Sequence, residues 1–271
     1  MRHIETEILI IGGGASGVAA AIVALRMGRS VTVVEETDWI GGMLTAAGVS
    51  AIDGNHMLPS GVWAEFRRQL YDYYGGPEAV ETGWISRTLY EPEVGERVLR
   101  EILAEAAGVD AEELLGRRGG VPERAGRLTL LLGHQLAELR REERRVTAAI
   151  VLPAGGAPDR AGRTAEGGGL RPRRADGGPD HAEGAGSIEI HPQILIAADE
   201  YGDTVTAAGL LTHYGLEGSD ATGESWGPAA PYTMPQDLTY VATLGPLGGY
   251  EFAGAEPLPS FPGILDNRRL D

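Results

Sequence analysis

The clearest structural pattern of this sequence lies in residues 7–35, which read EILIIGGGASGVAAAIVALRMGRSVTVVE. Glu7 to Ile11 is a short aliphatic run that stops at three glycines, which indicates a buried strand. Ala15 to Met27 is rich in helix-forming residues, and Gly28 follows as a typical helix terminator. Ser30 to Glu35 contains β-branched valines and predicts a second strand, parallel to the first. Residues 7–35 therefore predict one βαβ unit.

The turn between this strand and helix has the spacing G-x-G-x-x-G, with Gly12, Gly14, Ala15, Ser16 and Gly17 as candidate cofactor-binding residues. The first glycine allows a tight turn, the second admits a pyrophosphate, and the third lets helix and strand pack closely. The helix start supplies backbone N–H groups and the positive end of a dipole, so phosphate needs no basic side chain. A purely structural βα turn is the alternative reading.

Glu35 ends the second strand, where a carboxylate can accept hydrogen bonds from ribose hydroxyls and would repel a 2′-phosphate. Strand, helix and acid all fall in register with the glycines. We therefore predict a dinucleotide site here rather than a structural turn.

Outside this unit, hydrophobic periodicity predicts further elements. The expected helices and strands are, in chain order, a surface helix over Val62–Tyr74, a helix over Glu93–Ala107, a strand over Leu128–Leu132, an exposed edge or hairpin over Leu136–Glu143, a strand over Arg145–Leu152, and one or two strands over Ser187–Ala198.

Residues 8–35, followed by Gly41-Gly42-Met43-Leu44-Thr45 and Gly48, resemble the FAD-dependent oxidoreductases of the glutathione-reductase-like superfamily. Later segments resemble one bacterial group of these oxidoreductases, namely Ser60-Gly61, Tyr90-Glu91-Pro92, the residues from Ala198 to Asp203, Thr222-Gly223-Glu224, and the residues from Gln236 to Tyr240. The resemblance implies FAD rather than NAD as the resident cofactor. It also implies that Gly12, Gly14 and Gly17 approach the pyrophosphate, that Glu35 holds the adenosine ribose, and that Gly41 and Gly42 lie along the flavin. Gly202 is a further candidate for close approach to the cofactor.

The expected fold class is α/β, a doubly wound, Rossmann-like FAD/NAD(P)-binding domain with a parallel sheet. We expect this domain over residues 1–152 with a helical segment, a flexible low-complexity insertion over 153–187, a return to the domain over 188–215, and a partial substrate domain over 216–271. Members of the resembling group are usually longer, which implies a truncated form.

Composition narrows the classes of partner. A formal net charge of −16 disfavours binding to nucleic acid. The chain has no cysteine, which removes disulfides, thiolate nucleophiles and cysteine-based metal sites. No apolar run is long enough to span a membrane and no leader peptide is evident, so we expect a cytoplasmic protein with a small-molecule substrate.

No catalytic residue and no metal site is predicted. His56 and His134 could move protons, but surface or structural roles are commoner for histidine. Tyr90, Tyr201 and Tyr240 suit packing as well as hydrogen bonding to a ligand.

The acidic residues Asp199, Glu200 and Asp203 follow a predicted strand and fit either of two roles. One is binding a metal or the ribityl chain, and the other is a solvated turn in which Asp203 caps a short helix.

The chemistry expected of such a protein is hydride transfer from a small organic substrate to flavin. Two alternatives stay open at this stage. One is an NAD-dependent dehydrogenase that uses the same glycine motif, and the other is a non-catalytic FAD-binding remnant.

Overall fold

The computed structural model of the protein describes residues 2–52, 57–81, 86–115, 123–154, 186–213 and 215–232. All of these belong to one structural unit, Met1–Val241. The strands are β1 (Arg2–Ile11), β2 (Val31–Val34), β3 (Glu123–Ala125), β4 (Leu128–Leu131), β5 (His134–Glu142), β6 (Arg145–Pro153) and β7 (Ile188–Ala197). The helices are α1 (Ala15–Arg26), α2 (Gly61–Tyr74), α3 (Pro77–Val80), α4 (Pro92–Ala107), α5 (Ala111–Leu115), α6 (Asp203–Ala207) and α7 (Ser219–Thr222), with a 3₁₀ turn over Gly42–Leu44.

The strands form a seven-stranded sheet in the order β3-β4-β2-β1-β7-β6-β5. The four central strands β4, β2, β1 and β7 are parallel, as expected of the fold class, and β1 and β2 are the pair that the βαβ pattern predicts. Antiparallel strands extend both edges: β3 pairs with β4, β6 with β7, and β5 with β6 as the expected hairpin. The result is a mixed α/β, Rossmann-like fold whose parallel centre contains the predicted βαβ unit.

One face of the sheet carries the main hydrophobic core. Helices α1, α2 and α4 bury aliphatic and aromatic residues against it, among them Ile22, Phe66, Leu70 and Ile102, each at most 2 % exposed. Phe66 and Leu70 show that α2 contributes to this core as well as to the surface.

The second core cluster is built mainly from strand residues, such as Leu9, Val34 and Val151. Among the described helices, only α6 packs a hydrophobic residue, Ala207, against this second cluster. The expected Rossmann-like α/β class is confirmed, but among the described residues the helix layer of a doubly wound sheet covers only one face.

Strand β1 begins at Arg2, five positions before the predicted start at Glu7. Four of the five residues in Arg2–Thr6 are polar, and their pairing comes from β7, where Ile4 lies opposite Ile190. A local hydrophobic pattern cannot reveal a strand that is stabilised by such a distant partner.

Most of the predicted insertion (155–185) and most of the predicted substrate domain (233–271) lie outside the described residues. None of the described helices combines the length and the apolar character that crossing a bilayer requires.

Candidate functional site

The candidate site lies at the carboxyl ends of the central parallel strands. The neighbours of β1, which are β2 and β7, lie on opposite sides of it, so β1 ends at the point where the strand order reverses. Ligands of open α/β sheets bind in the crevice at such a point. The glycine motif follows β1 directly.

Gly12 must be glycine for two reasons. Its φ of +100° belongs to a backbone region that other residues rarely adopt, and a Cβ there would lie 2.4 Å from the Ala198 carbonyl oxygen. Gly17 is restricted by packing alone, because its Cβ would lie 1.9 Å from the Gly12 carbonyl oxygen. These contacts hold β1, α1 and the chain after β7 close together, which confirms the packing role expected of the third glycine.

Gly14 differs from Gly12 and Gly17, because the space that a Cβ would occupy is open. A Cβ on Gly14 would find only a Glu200 carboxylate oxygen, at 4.0 Å. Gly14 is the N-cap of α1, and no side chain caps the helix. The exposed residues Ala15 and Ser16 follow it as the first helical residues, so their N–H groups have no partner within the helix.

Glu35 is held against the glycine loop. Its Oε2 accepts a hydrogen bond from the Gly13 N–H at 2.7 Å, and its Oε1 accepts from the Thr37 N–H and hydroxyl, each at 2.8 Å. A carboxylate offers about four lone-pair positions, so Oε2 keeps one for a further donor. Thr37 is a positioning residue that the sequence analysis missed, although a threonine two residues after an acid is a typical turn signal.

Gly41 and Gly42 are brought directly against the loop. The Gly41 N–H donates to the Gly13 carbonyl at 2.7 Å, and Gly41 forms a parallel bridge with Gly14. A Cβ on Gly42 would lie 2.9 Å from Gly14 Cα. The predicted glycines of the two segments therefore border one cradle.

The acidic turn after β7 borders the same cradle. Asp199 is close to Gly12, and its Oδ2 accepts a hydrogen bond from the Thr204 N–H at 3.0 Å. Asp199 thus caps α6, and the expectation that Asp203 is the capping residue is wrong. The reason is that Gly202, at φ +69°, turns the chain so that the helix begins at Asp203.

Asp199 also leaves one group for a ligand. Its Oδ1 is buried and has no hydrogen-bond partner among the described residues. A glycine cradle with open space at Gly14, free helix N–H groups and a buried acceptor nearby fits a dinucleotide with hydroxyl and phosphate groups.

The candidate catalytic residues do not gather at this cradle. His134 is 4 % exposed, and its Nδ1 lies 2.7 Å from the Leu132 carbonyl oxygen, which makes it a structural histidine. Tyr90 is buried against Phe66 and donates to the Leu44 carbonyl, and burial raises the pKa of its hydroxyl. Tyr201 is exposed, and His56 and Tyr240 lie outside the described residues.

Comparison with solved structures finds, among others, a hydroxylase and a monooxygenase. OxyS anhydrotetracycline hydroxylase from Streptomyces rimosus is 12 % identical, with 76 % of this chain covered, 34 % of that chain covered and a TM-score of 0.43. p-Nitrophenol 4-monooxygenase PnpA from Pseudomonas putida DLL-E4 is 15 % identical, with 80 % and 46 % covered and a TM-score of 0.44. The chain thus spans between a third and a half of the length of these two structures.

No curated protein matches the sequence. The sequence model described as FAD dependent oxidoreductase matches residues 7–163, which is more than half of the chain and includes the glycine loop, Glu35, Gly41 and Gly42. The chain therefore belongs to the FAD dependent oxidoreductase family, and its cofactor is FAD.

Proposed function

We propose that this chain binds FAD in the glycine cradle and forms the flavin-binding part of an enzyme that oxidises a small organic substrate by hydride transfer. The observation that carries the proposal is the open space above Gly14 beside the exposed start of α1. When bound, the flavin supplies the redox chemistry, accepting a hydride and passing its electrons to an acceptor.

The residues of this chain would bind and orient the cofactor. The N–H groups that begin α1 at Ala15 and Ser16 would hold the pyrophosphate, with the helix dipole favouring its negative charge. Glu35 would accept a ribose hydroxyl at its remaining Oε2 position, since Gly13 and Thr37 fix the carboxylate. Gly41 and Gly42 would border the flavin side, and Gly202 would allow the turn after β7 to approach the cofactor.

The first test is the visible absorption spectrum of the purified protein, with the cofactor released by heat and identified by mass. Flavin absorption bands together with released FAD would support the proposal. A colourless protein that also fails to bind added FAD would overturn it and leave a nicotinamide-dependent enzyme or a non-binding remnant.

The variant Gly14→Ala tests whether FAD binds beside Gly14. The added methyl group has room in the protein itself, so the melting temperature of the apoprotein should stay close to that of the wild type. The same methyl group would push a pyrophosphate away from the helix N–H groups, and losing one charge-assisted hydrogen bond costs about 1.5–3 kcal/mol. FAD affinity should therefore fall by about tenfold or more in a fluorescence titration.

Val23→Ala is the matched control, because Val23 is 49 % exposed on the same helix. It should bind FAD as the wild type does. Equal FAD affinity of Gly14→Ala and the wild type would place the cofactor elsewhere.

A further inference from the structure

A second cluster of chemically active side chains lies at the opposite edge of the sheet. His3 stands near the start of β1, and Glu189 and His191 stand near the start of β7. These two strands are parallel neighbours, with His3 opposite Glu189 and Glu5 opposite His191. Side chains alternate along a strand, so all four project from the same face. β1 rises about 3.3 Å per residue, which puts His3 about 30 Å from the glycine loop.

Three of these side chains converge. One ligand atom from each of His3, Glu189 and His191 lies within 4.8 Å of the other two. The Glu189 carboxylate stands between the histidines: its Oε2 is 3.7 Å from His3 Nδ1, and its Oε1 is 3.4 Å from His191 Nε2.

The tautomer of His191 can be assigned from its second nitrogen. His191 Nδ1 lies 3.2 Å from the Thr147 carbonyl oxygen, which can only accept a hydrogen bond. Nδ1 therefore carries the hydrogen, and in the neutral ring Nε2 presents a lone pair toward Glu189. Nε2 and the carboxylate oxygen, 3.4 Å apart, can share a cation between them, either a proton or a metal ion. Metal-binding histidines are usually oriented by such a hydrogen bond to a carbonyl.

The spacing suits a metal ion. Zinc binds histidine nitrogen and carboxylate oxygen at about 2.0–2.2 Å in a tetrahedral arrangement, so two of its ligand atoms lie about 3.4 Å apart. The nitrogen of each histidine lies 3.4 or 3.7 Å from the nearer oxygen of Glu189, close to this value, and one ligand atom from each of the three residues lies within 4.8 Å of the others, so modest side-chain adjustment would close the site around an ion. Imidazole ligands favour zinc over magnesium or calcium.

The surroundings hold Glu189 in place. Its side chain is 10 % exposed, and its Oε1 accepts a hydrogen bond from Arg140 of β5 at 2.9 Å. Arg140 is in turn 3.6 Å from Glu138, so its positive charge is shared with a second carboxylate. Oε2 is left facing His3, whose side chain is 61 % exposed and open to ions from solvent.

We propose that His3, Glu189 and His191 form a zinc site that ties the start of β1 to β7, with water completing the coordination. This proposal departs from the sequence prediction of no metal site. The sequence could not reveal such a site, because His3 is far from Glu189 and His191 along the chain. The site lies about 30 Å along β1 from the cofactor cradle, and we assign it no part in the flavin chemistry.

The test is a calorimetric titration of untagged, FAD-loaded protein with zinc chloride. We expect saturable binding of one zinc ion per chain and no comparable binding of magnesium. His3→Ala should weaken zinc binding by about tenfold or more, as loss of an interaction at a metal site typically does. Zinc should also raise the melting temperature of the wild type more than that of His3→Ala.

His213→Ala is the control, because His213 is an exposed histidine away from this cluster. It should bind zinc as the wild type does. Absence of saturable zinc binding, or equal affinities of His3→Ala and His213→Ala, would overturn the proposal. His3 is exposed, so its replacement should leave the fold intact, and a circular dichroism melt without zinc checks this.

Discussion

Glu200 brings a negative charge to the cradle where a pyrophosphate would bind. Its carboxylate lies 4.0 Å from a Cβ built on Gly14 and 3.0 Å from one built on Gly42. At about 4 Å, two unit charges interact by about 1 kcal/mol in water. Glu200→Gln should therefore raise FAD affinity, by up to about fivefold, in a fluorescence titration of the apoprotein at low salt.

The control for this variant is Glu217→Gln, which removes an exposed carboxylate that follows α6 in the sequence. It should leave FAD affinity nearly unchanged, and the gain from Glu200→Gln should shrink as salt is added. Weaker FAD binding by Glu200→Gln would instead mean that this carboxylate accepts hydrogen bonds from the cofactor.

At this scale the sequence reveals residues whose role is set by their immediate neighbours. The spacing of Gly12 and Gly17 predicts both the tight turn and the close packing that the structure shows. The support of Glu35 by Thr37 is local, but it depends on side-chain orientation. The approach of Glu200 to Gly14 depends on the pairing of β7 with β1, which no local pattern contains.

Helix α4 contains a buried ion pair that ties three segments together. Arg100 is 2 % exposed and bonds to Glu96, to the Leu114 carbonyl and to the Asp38 carbonyl. Replacing Arg100 with methionine would leave Glu96 as a buried charge. The free energy of unfolding, measured with urea, should fall by about 3–5 kcal/mol.

The same helix supplies a matched control. Arg97 and Glu101 form an ion pair of identical spacing on the exposed face. Arg97→Met should cost less than about 1 kcal/mol, as is usual for surface pairs. If Arg100→Met and Arg97→Met lower the free energy of unfolding equally, burial does not set how much Arg100 contributes to stability. The double variant Glu96→Leu with Arg100→Met should recover much of the loss, since no buried charge would remain.

The long helices of this fold were predictable from local sequence. The expected helix over Glu93–Ala107 is observed as Pro92–Ala107, because a four-residue apolar spacing, proline at the start and Gly108 at the end all agree. The short α6 was predicted less well, since its cap comes from Asp199 through the folded turn.

The sheet as a whole was predictable only in part. The parallel pairing of β1 and β2 follows from the βαβ pattern between them. The order of the outer strands, and the use of antiparallel strands at both edges, depends on contacts between segments far apart in the chain. The cluster of His3, Glu189 and His191 was missed for the same reason.

The stability of the whole molecule should decline at high pH. Tyr74 donates a hydrogen bond to the Glu91 carboxylate and accepts one from the Glu91 N–H at 3.0 Å, joining α2 to the start of α4. Burial, and then the hydrogen bond to Glu91, raises the pKa of Tyr74 to about 12. An unfolded tyrosine has a pKa of about 10. Between these values the folded protein keeps a proton that the unfolded chain loses, so rising pH favours unfolding.

Urea midpoints measured from neutral pH upward test this expectation. Tyr74→Phe should be less stable than the wild type at neutral pH, because the hydrogen bonds to Glu91 are lost. Up to about pH 9 the difference should stay constant, and between about pH 10 and 12 it should narrow, since phenylalanine cannot ionise. Burial also raises the pKa of Tyr90, and this second tyrosine makes both proteins less stable as the pH rises. The wild type should still lose more stability in this range than the variant does, because only the wild type has Tyr74. A difference that stays constant through pH 12 would show that Tyr74 titrates alike in the folded and unfolded chains.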